Sequence, residues 1–152
     1  MNALAQRTAL PATSAANLAK VFVFESVMQT AEQQEVLTQH VIHGGMYART
    51  VLLPADMVLT GALIKLATIV IVKGDCSVWS DGVVTHLKGY NILPASAGRK
   101  QIFVSNEDTH ITMIFPTQAQ SVEEAELEFT DQADDLASRK HPETNTVIIT
   151  GE

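Results

Sequence analysis

Residues 69–87 read IVIVKGDCSVWSDGVVTHL, and this stretch decides the fold. It contains three β-prone runs, at 69–72, 76–79 and 83–87. Between the last two lies Asp81-Gly82, a dipeptide typical of two-residue hairpin turns. The residues around Gly74 predict a second turn. We therefore expect antiparallel strands here, with Trp79 and Leu87 in the core of the sheet.

The same alternation of short β-prone segments and turn residues continues outward over residues 46–116. Further β-prone segments lie at 47–53, 102–104 and 111–115. Turn signals rich in Gly, Pro, Asn and Asp lie at 54–56, 73–75, 88–90, 94–98 and 106–108. Strands that recur about every 8–12 residues favour an antiparallel sandwich or barrel.

The segment before the predicted barrel, residues 1–45, is expected to hold an arm and a helix. Residues 1–12 are small and polar and predict the arm. After Ser14, a residue type that caps helix N-termini, apolar residues recur at near-helical spacing; these are Leu18, Val21, Phe22 and Met28. A polar stretch then leads to the turn signal Gly44-Gly45.

The segment after the barrel, residues 117–152, is expected to hold an amphipathic helix and a terminal strand. Ser121 and Glu124 have the spacing of a capping box. One apolar stripe over 121–139 is formed by Val122, Ala125, Phe129, Ala133 and Leu136. The final β-prone run, TVIIT at 146–150, needs a sheet edge in its own chain or in a neighbour's.

Composition and charge exclude several classes of function. Of the 152 residues, 46% are hydrophobic and 18% are charged, as in globular proteins. The net charge of −7 arises entirely in residues 121–152, which hold nine acidic side chains against Arg139 and Lys140. Because no cluster of Lys and Arg could neutralise a run of phosphates, we expect no nucleic-acid partner. The apolar runs are too short to cross a bilayer and no secretory signal is evident, so we expect no membrane partner.

Four segments of the barrel region resemble the cupin superfamily, and most closely the small cupin-like proteins encoded by phages. They are GMYAR at 45–49, LPADMVLTG at 53–61, KGDCSVW at 73–79 and GYNILP at 89–94. The resemblance implies a double-stranded β-helix, a small antiparallel barrel. With the N-terminal and C-terminal helices predicted above, which lie outside the resemblance, we expect a mainly β, cupin-like barrel with flanking helices. The mouth of such a barrel usually holds a metal.

The residues that would bind this metal are replaced in this chain. The first cupin motif places two histidines and a glutamate ahead of the glycine matched by Gly74, and the second places a histidine at Gln101. The glutamate position falls at Ala67, and the histidine positions fall among Thr60, Gly61, Ala62 and Leu63. None of these side chains is a good ligand for Zn, Fe, Mn or Ni. We therefore expect no metal, no other cofactor and no enzymatic activity.

Two groups of side chains are candidates for a functional site. The polar candidates at the barrel mouth are Lys65, Thr68, His86 and Gln101, and Lys65 together with Arg99 and Lys100 would gather an anion there. The candidates for an interaction surface are Phe129, Leu136, Val147, Ile148 and Ile149. Cys76, the single cysteine, excludes an internal disulfide and is expected to be a small buried hydrophobe.

Two classes of function stay open at this point. In the first, the chain is a non-catalytic phage structural or assembly protein, an oligomerising scaffold whose partners are copies of itself and other virion proteins. It would then be made in the cytoplasm of the bacterial host and incorporated in the virion. In the second, it is a small-molecule-binding protein or a metal-dependent cupin enzyme that uses the barrel mouth.

Overall fold

The computed structural model describes residues 9–152 and shows a mainly β chain with flanking helices. Its strands are β1 (Leu37–His43), β2 (Met46–Leu53), β3 (Val58–Thr60), β4 (Thr68–Ser80), β5 (Val83–Ala95), β6 (Ile102–Ser105), β7 (Thr109–Pro116) and β8 (Asn145–Ile149). Its α-helices are α1 (Ala15–Met28), α2 (Val122–Phe129) and α3 (Ala137–Lys140), with 3₁₀ turns at Ala133–Asp135 and Pro142–Thr144. The expected mainly β architecture with helices at both ends is confirmed. Residues 1–8 of the predicted arm lie outside the described part of the chain.

The strands form one curled sheet in the order β3-β6-β4-β7-β2-β1-β8, and β5 pairs with β4. All pairs are antiparallel except β1 with β8, which is parallel. The sheet therefore extends beyond residues 46–116 at both ends. Sequence analysis missed β1 because two of its inward residues, Thr38 and His40, are polar. The terminal strand finds its sheet edge in its own chain.

β4 and β5 form one long hairpin around the Asp81-Gly82 turn, and each of the two strands is 13 residues long. Both turn residues have positive φ, 47° and 84°, as a type I′ turn requires, so this prediction is confirmed. The turns predicted around Gly74 and Gly89 are wrong, because these glycines face each other within the ladder. Before Gly74, β4 pairs with β7, and beyond it β4 pairs with β6. β4 therefore changes its partner strand, from β7 to β6, at this pair of glycines.

The core has two parts. One lies inside the curled sheet around Val72, Val78 and Phe103. The other, around Tyr47 and Phe115, is covered by α2. Leu87 is buried as predicted, and so is Cys76. Trp79 is only partly buried, and its assignment to the core is wrong, because successive strand residues face opposite sides and Val78 takes the inner one.

The helix predicted over 121–139 is interrupted. Ser121 caps α2 by accepting a hydrogen bond from the Glu124 amide, but α2 ends at Phe129, and Thr130 is extended. The Thr130 hydroxyl accepts a hydrogen bond from the Gln132 amide at 3.0 Å, a local bond that competes with helix continuation. The chain therefore turns, and Leu136 reaches the same core cluster as Phe129 from a separate short element.

Candidate functional site

A cavity of about 440 Å³ lies inside the curled sheet and opens beside the C-terminal end of α1. We call it the barrel cavity. Its walls are mainly apolar. Side chains from four strands and from the segment before β1 form them; these include Val36, Val51, Val70, Phe103, Ile111 and Met113. Polar and charged residues from 25–34 and 132–141 surround its mouth. Such a site accommodates an organic molecule more readily than a bare ion.

Arg99 lines the barrel cavity although it is only 3% exposed. It lies in the connection between β5 and β6, and its guanidinium donates to the carbonyls of Leu66 and Ser96, each at 3.1 Å. It also donates to the Thr68 hydroxyl at 2.8 Å and contacts the Met113 sulfur at 3.6 Å. All of these partners are uncharged. Burial lowers the pKa of Arg99 to about 10, which leaves it a cation at neutral pH.

A second arginine, Arg49, enters the same cavity from β2 and belongs to a buried ion-pair network. Its Nη1 atom lies 3.0 Å from Glu126 Oε2 and 3.1 Å from Ser138 Oγ. The other carboxylate oxygen of Glu126 accepts from Arg139 Nε at 2.9 Å. Glu126 is 1% exposed, so one buried carboxylate of α2 serves two guanidinium groups. The network fixes α2 and α3 to the sheet.

The wall beside α1 is fastened by Lys100, which is fully buried. Its ammonium group donates to Glu25 at 2.8 Å, to the Gly61 carbonyl at 2.8 Å and to the Gln132 side chain at 2.9 Å. Gln132 in turn donates to Glu25 at 3.2 Å. Burial lowers the pKa of Lys100, and the carboxylate of Glu25 opposes this shift. The end of α1 and the segment after α2 are thereby held at the cavity mouth.

Only one of the four predicted mouth residues lines the barrel cavity. Gln101 does so, and its amide donates to Ser80 Oγ at 2.8 Å. Thr68 lies behind Arg99 as a hydrogen-bond acceptor. Lys65 is on the surface, paired with Asp131 at 2.8 Å.

The expectation that His86 lies at the barrel mouth is corrected. His86 lies on the outer face of β5, where its Nε2 atom is 2.5 Å from Asp75 Oδ1. Hydrogen bonds from Asn106 and His86 lower the pKa of Asp75. His86 borders a separate depression together with Ser80 and Asp81, and it does not line the barrel cavity.

The predicted interaction residues also separate into two sets. Phe129 is 1% exposed and packs on Tyr47 and Phe115 of its own chain, and Leu136 packs against the same cluster. Phe129 therefore offers no surface to a partner, which corrects the expectation for it, whereas Leu136 is only partly buried. The terminal residues are different, since Val147, Ile148 and Ile149 are between 46% and 49% exposed on β8 at the end of the sheet.

The residues inside the barrel do not fit a metal ion. The positions of the motif ligands hold Thr60, Ala62, Ala67 and Gln101, and the buried charged groups of the cavity wall are the cations Arg49 and Arg99. Two guanidinium groups repel a divalent cation. In residues 9–152, the group with metal-ligand spacing is Glu35, His141 and Glu143 at the surface.

Sequence analysis missed the network of Arg49, Glu126 and Arg139. The alternation of β2 gave one signal, since Tyr47, Arg49 and Leu53 fall on its inner face. An inward arginine on a strand requires a buried acceptor. The acceptor of Arg49 is Glu126, however, which lies 77 residues further along the chain, and no local sequence pattern identifies it. Within the described residues, no helix is long and apolar enough to span a membrane.

No protein-family model matches the sequence, and no curated protein matches it. Among solved structures, a cupin superfamily protein from Desulfitobacterium hafniense is similar at 12% identity, over 58% of this chain and 83% of that one, with a TM-score of 0.48. A Cupin 2 conserved barrel domain protein from Salinispora arenicola is similar at 10% identity, over 75% and 92%, with a TM-score of 0.45. Salicylate 1,2-dioxygenase from Pseudoaminobacter salicylatoxidans is similar at 14% identity, over 74% and 32%, with a TM-score of 0.47.

Likenesses of this size assign no activity to this chain. The mainly β architecture with flanking helices that the sequence predicts is the one found, and it rests on the strand pairing described above.

Proposed function

We propose that this protein is a non-catalytic binding protein that holds a small, mainly apolar organic molecule in its barrel cavity. The observation that carries the proposal is the cavity itself, about 440 Å³ in volume, open at one end and lined mainly by Val, Ile, Phe and Met side chains. Small-molecule sites typically have volumes of about 300–1,000 Å³ and apolar walls with a few polar groups. The proposal selects the second of the two classes of function that the sequence leaves open.

The absence of catalytic chemistry is part of this proposal. Cys76 does not line the cavity in the described chain, and burial raises the pKa of its thiol to about 11, so it is a poor nucleophile at neutral pH. The histidine–carboxylate pair His86–Asp75 lies on the outer face of the sheet. The metal positions of the cupin motifs hold residues that bind metals poorly. These features favour binding over turnover.

A fluorescence titration with N-phenyl-1-naphthylamine, a neutral apolar probe, tests the proposal. The probe should bind the wild-type protein with one site per chain, and Ile111→Trp, which fills the cavity, should remove that binding. Ile92→Trp is the matched control, because Ile92 is 60% exposed on the neighbouring hairpin and should leave binding unchanged. Circular dichroism would confirm that both variants are folded. Equal binding by both variants, or none by the wild type, would contradict the proposal.

A specific observation favours self-association as a second function. β8 is the last strand of the sheet, and its exposed Val147, Ile148 and Ile149 leave an apolar edge. Free apolar edges pair readily with other strands. This edge supports the oligomerising scaffold predicted from the sequence. The phage origin, the virion partners and the location in the host cytoplasm stay predictions of the resemblance.

A further inference from the structure

The barrel cavity holds a buried positive charge that no carboxylate of the described residues, 9–152, neutralises. Arg99 forms no ion pair with a carboxylate of residues 9–152. Its contacts are two carbonyls, one hydroxyl and one thioether. Removing a cation from water without a counter-charge is costly, and buried charges in proteins are usually paired. Within residues 9–152 this charge therefore has no counter-ion, and an anion in the cavity would supply one.

A second guanidinium lies close to this charge. Arg49 is paired with Glu126, which also accepts from Arg139, and Arg139 in turn pairs with the exposed Asp134 at 3.3 Å. Arg49 and Met113 are direct partners in the ladder between β2 and β7, and Arg99 contacts the sulfur of the same methionine. Both arginines line one cavity and flank one side chain. The interior is therefore positive although the whole chain carries a net charge of −7.

The acidic groups at the mouth do not cancel this charge. Glu25 is already paired with Lys100 at 2.8 Å. The other acidic side chains around the opening, Glu32, Asp56 and Asp135, belong to exposed residues, where water and salt screen their charge. Solvent thus weakens the repulsion between these acidic side chains and an anionic ligand at the mouth, whereas the charge of Arg99 inside the cavity is not weakened in this way.

Resting on the proposed function, we propose that the ligand is an organic anion, with an apolar body in the barrel cavity and a carboxylate or similar acidic group at Arg99 and Arg49. A buried guanidinium attracts a carboxylate by its charge and by its planar N–H donors. Because both terminal nitrogens of Arg99 already donate to the chain, the charge is the main attraction at that residue. The apolar walls accommodate the body of the ligand, so an inorganic anion alone would satisfy only part of the site.

Two fluorescent probes that share one apolar body test this inference. 8-Anilino-1-naphthalenesulfonate carries an acidic group, and N-phenyl-1-naphthylamine is its neutral counterpart. The wild type should bind the anionic probe at least about 10-fold more tightly than the neutral one. Arg99→Gln should weaken the binding of the anionic probe by about 30-fold and leave the binding of the neutral probe nearly unchanged. Arg99→Lys, which keeps the charge, should recover part of the loss.

The outcomes separate the two proposals. If both probes bind the wild type equally and Ile111→Trp abolishes both, the cavity binds apolar molecules and the inference about charge is overturned. If neither probe depends on residue 111, both proposals are overturned. Since Arg99 also holds the loops around Leu66 and Ser96, unfolding of a variant would mimic a loss of binding, and a measurement on the wild type is needed as well.

Nuclear magnetic resonance supplies this measurement. Addition of the anionic probe to ¹⁵N-labelled wild-type protein should shift the side-chain Nε–H resonance of Arg99, and the neutral probe should not. The resonance of Arg139, whose Nε already donates to Glu126, is the internal control. An unchanged Arg99 resonance at saturation with the anionic probe would overturn the inference.

Discussion

Glu126 joins the helices to the sheet through a single buried carboxylate. It accepts from Arg49 and Ser138 through one oxygen and from Arg139 through the other. Ion pairs of this kind add little net stability when intact, because desolvation offsets the attraction, but breaking one leaves an uncompensated buried charge. Loss of the Glu126 carboxylate would therefore leave the buried guanidinium of Arg49 without a counter-charge.

Glu126→Gln should therefore destabilise the protein strongly. The neutral amide leaves Arg49 without a counter-charge in the interior, and we expect a loss of about 3–5 kcal/mol in the free energy of unfolding. Urea denaturation measures it. Glu123→Gln, an exposed substitution on the same helix, should change stability by less than about 0.5 kcal/mol. Equal effects of the two substitutions would mean that the network is not buried in solution.

His40 should make stability depend on pH. It is fully buried, with Nδ1 2.7 Å from the Tyr47 hydroxyl and Nε2 3.0 Å from Asn145 Oδ1, and burial lowers its pKa below the usual 6.5. The unfolded chain then binds the proton more readily, so stability is complete above about pH 6.5 and falls as pH drops below it. The slope should reach at most about 1.4 kcal/mol per pH unit.

Chemical denaturation at a series of pH values between about 5 and 8 measures this slope. Replacing His40 with Gln should remove it. His110→Gln is the control, because His110 is exposed on β7 and its loss should leave the slope intact. A slope that survives in His40→Gln would assign the pH dependence to other groups.

At the scale of elements, the pair Gly74 and Gly89 lets one long hairpin serve two partner strands. A Cβ atom on Gly74 would lie 2.6 Å from Thr109 Oγ1 and 2.7 Å from the Asp108 carbonyl oxygen, whereas nothing lies within 4 Å of one on Gly89. Both residues have positive φ, 145° and 79°. Both glycines thus have a φ that L side chains rarely adopt, and they differ in the space available to a side chain.

Gly74→Ala should accordingly cost more than Gly89→Ala. The second substitution adds only backbone strain, about 1–2 kcal/mol, while the first adds a clash with the backbone of β7 and should cost about 3 kcal/mol or more. Thermal or urea denaturation of both variants gives the comparison. If Gly89→Ala proves equal or worse, the close approach of β7 at Gly74 is incorrect.

The β8 edge gives a prediction about assembly. If this edge mediates self-association, the wild type should be oligomeric in light scattering, and the double variant Val147→Lys and Ile149→Lys should be smaller, because charged side chains block edge pairing. Val83→Lys, which adds a charge at an exposed position of the hairpin tip, should leave the particle mass unchanged. A monomeric wild type would contradict the scaffold function.

Local signals predicted some elements and failed at others for physical reasons. Asp81-Gly82 and Ser121 act through contacts a few residues apart, and their turn and cap are found as expected. Gly74 looks like a turn residue because its role, close approach of another strand, depends on Thr109 far along the chain. The end of α2 depends on a side-chain bond of Thr130 that competes with an otherwise good helical pattern.

At the scale of the whole molecule, the cavity and its charge emerge only from the assembled sheet. Gln101 and Arg99 could be predicted near the barrel mouth, because the resemblance and the basic run at 99–100 place them there. The buried carboxylate of Glu126 could not, because Arg49, Glu126 and Arg139 lie on three separate segments of the chain. The function proposed here depends on that assembly.

The central claim is that the barrel cavity is a binding site, and intermolecular nuclear Overhauser effects test it most directly. With bound 8-anilino-1-naphthalenesulfonate, aromatic protons of the probe should show contacts to the methyl groups of Val70, Ile111 and Met113, which line the cavity. Contacts confined to the exposed side chains of Ile92 or Ile148 would show that the probe binds the outer surface, and would contradict the claim.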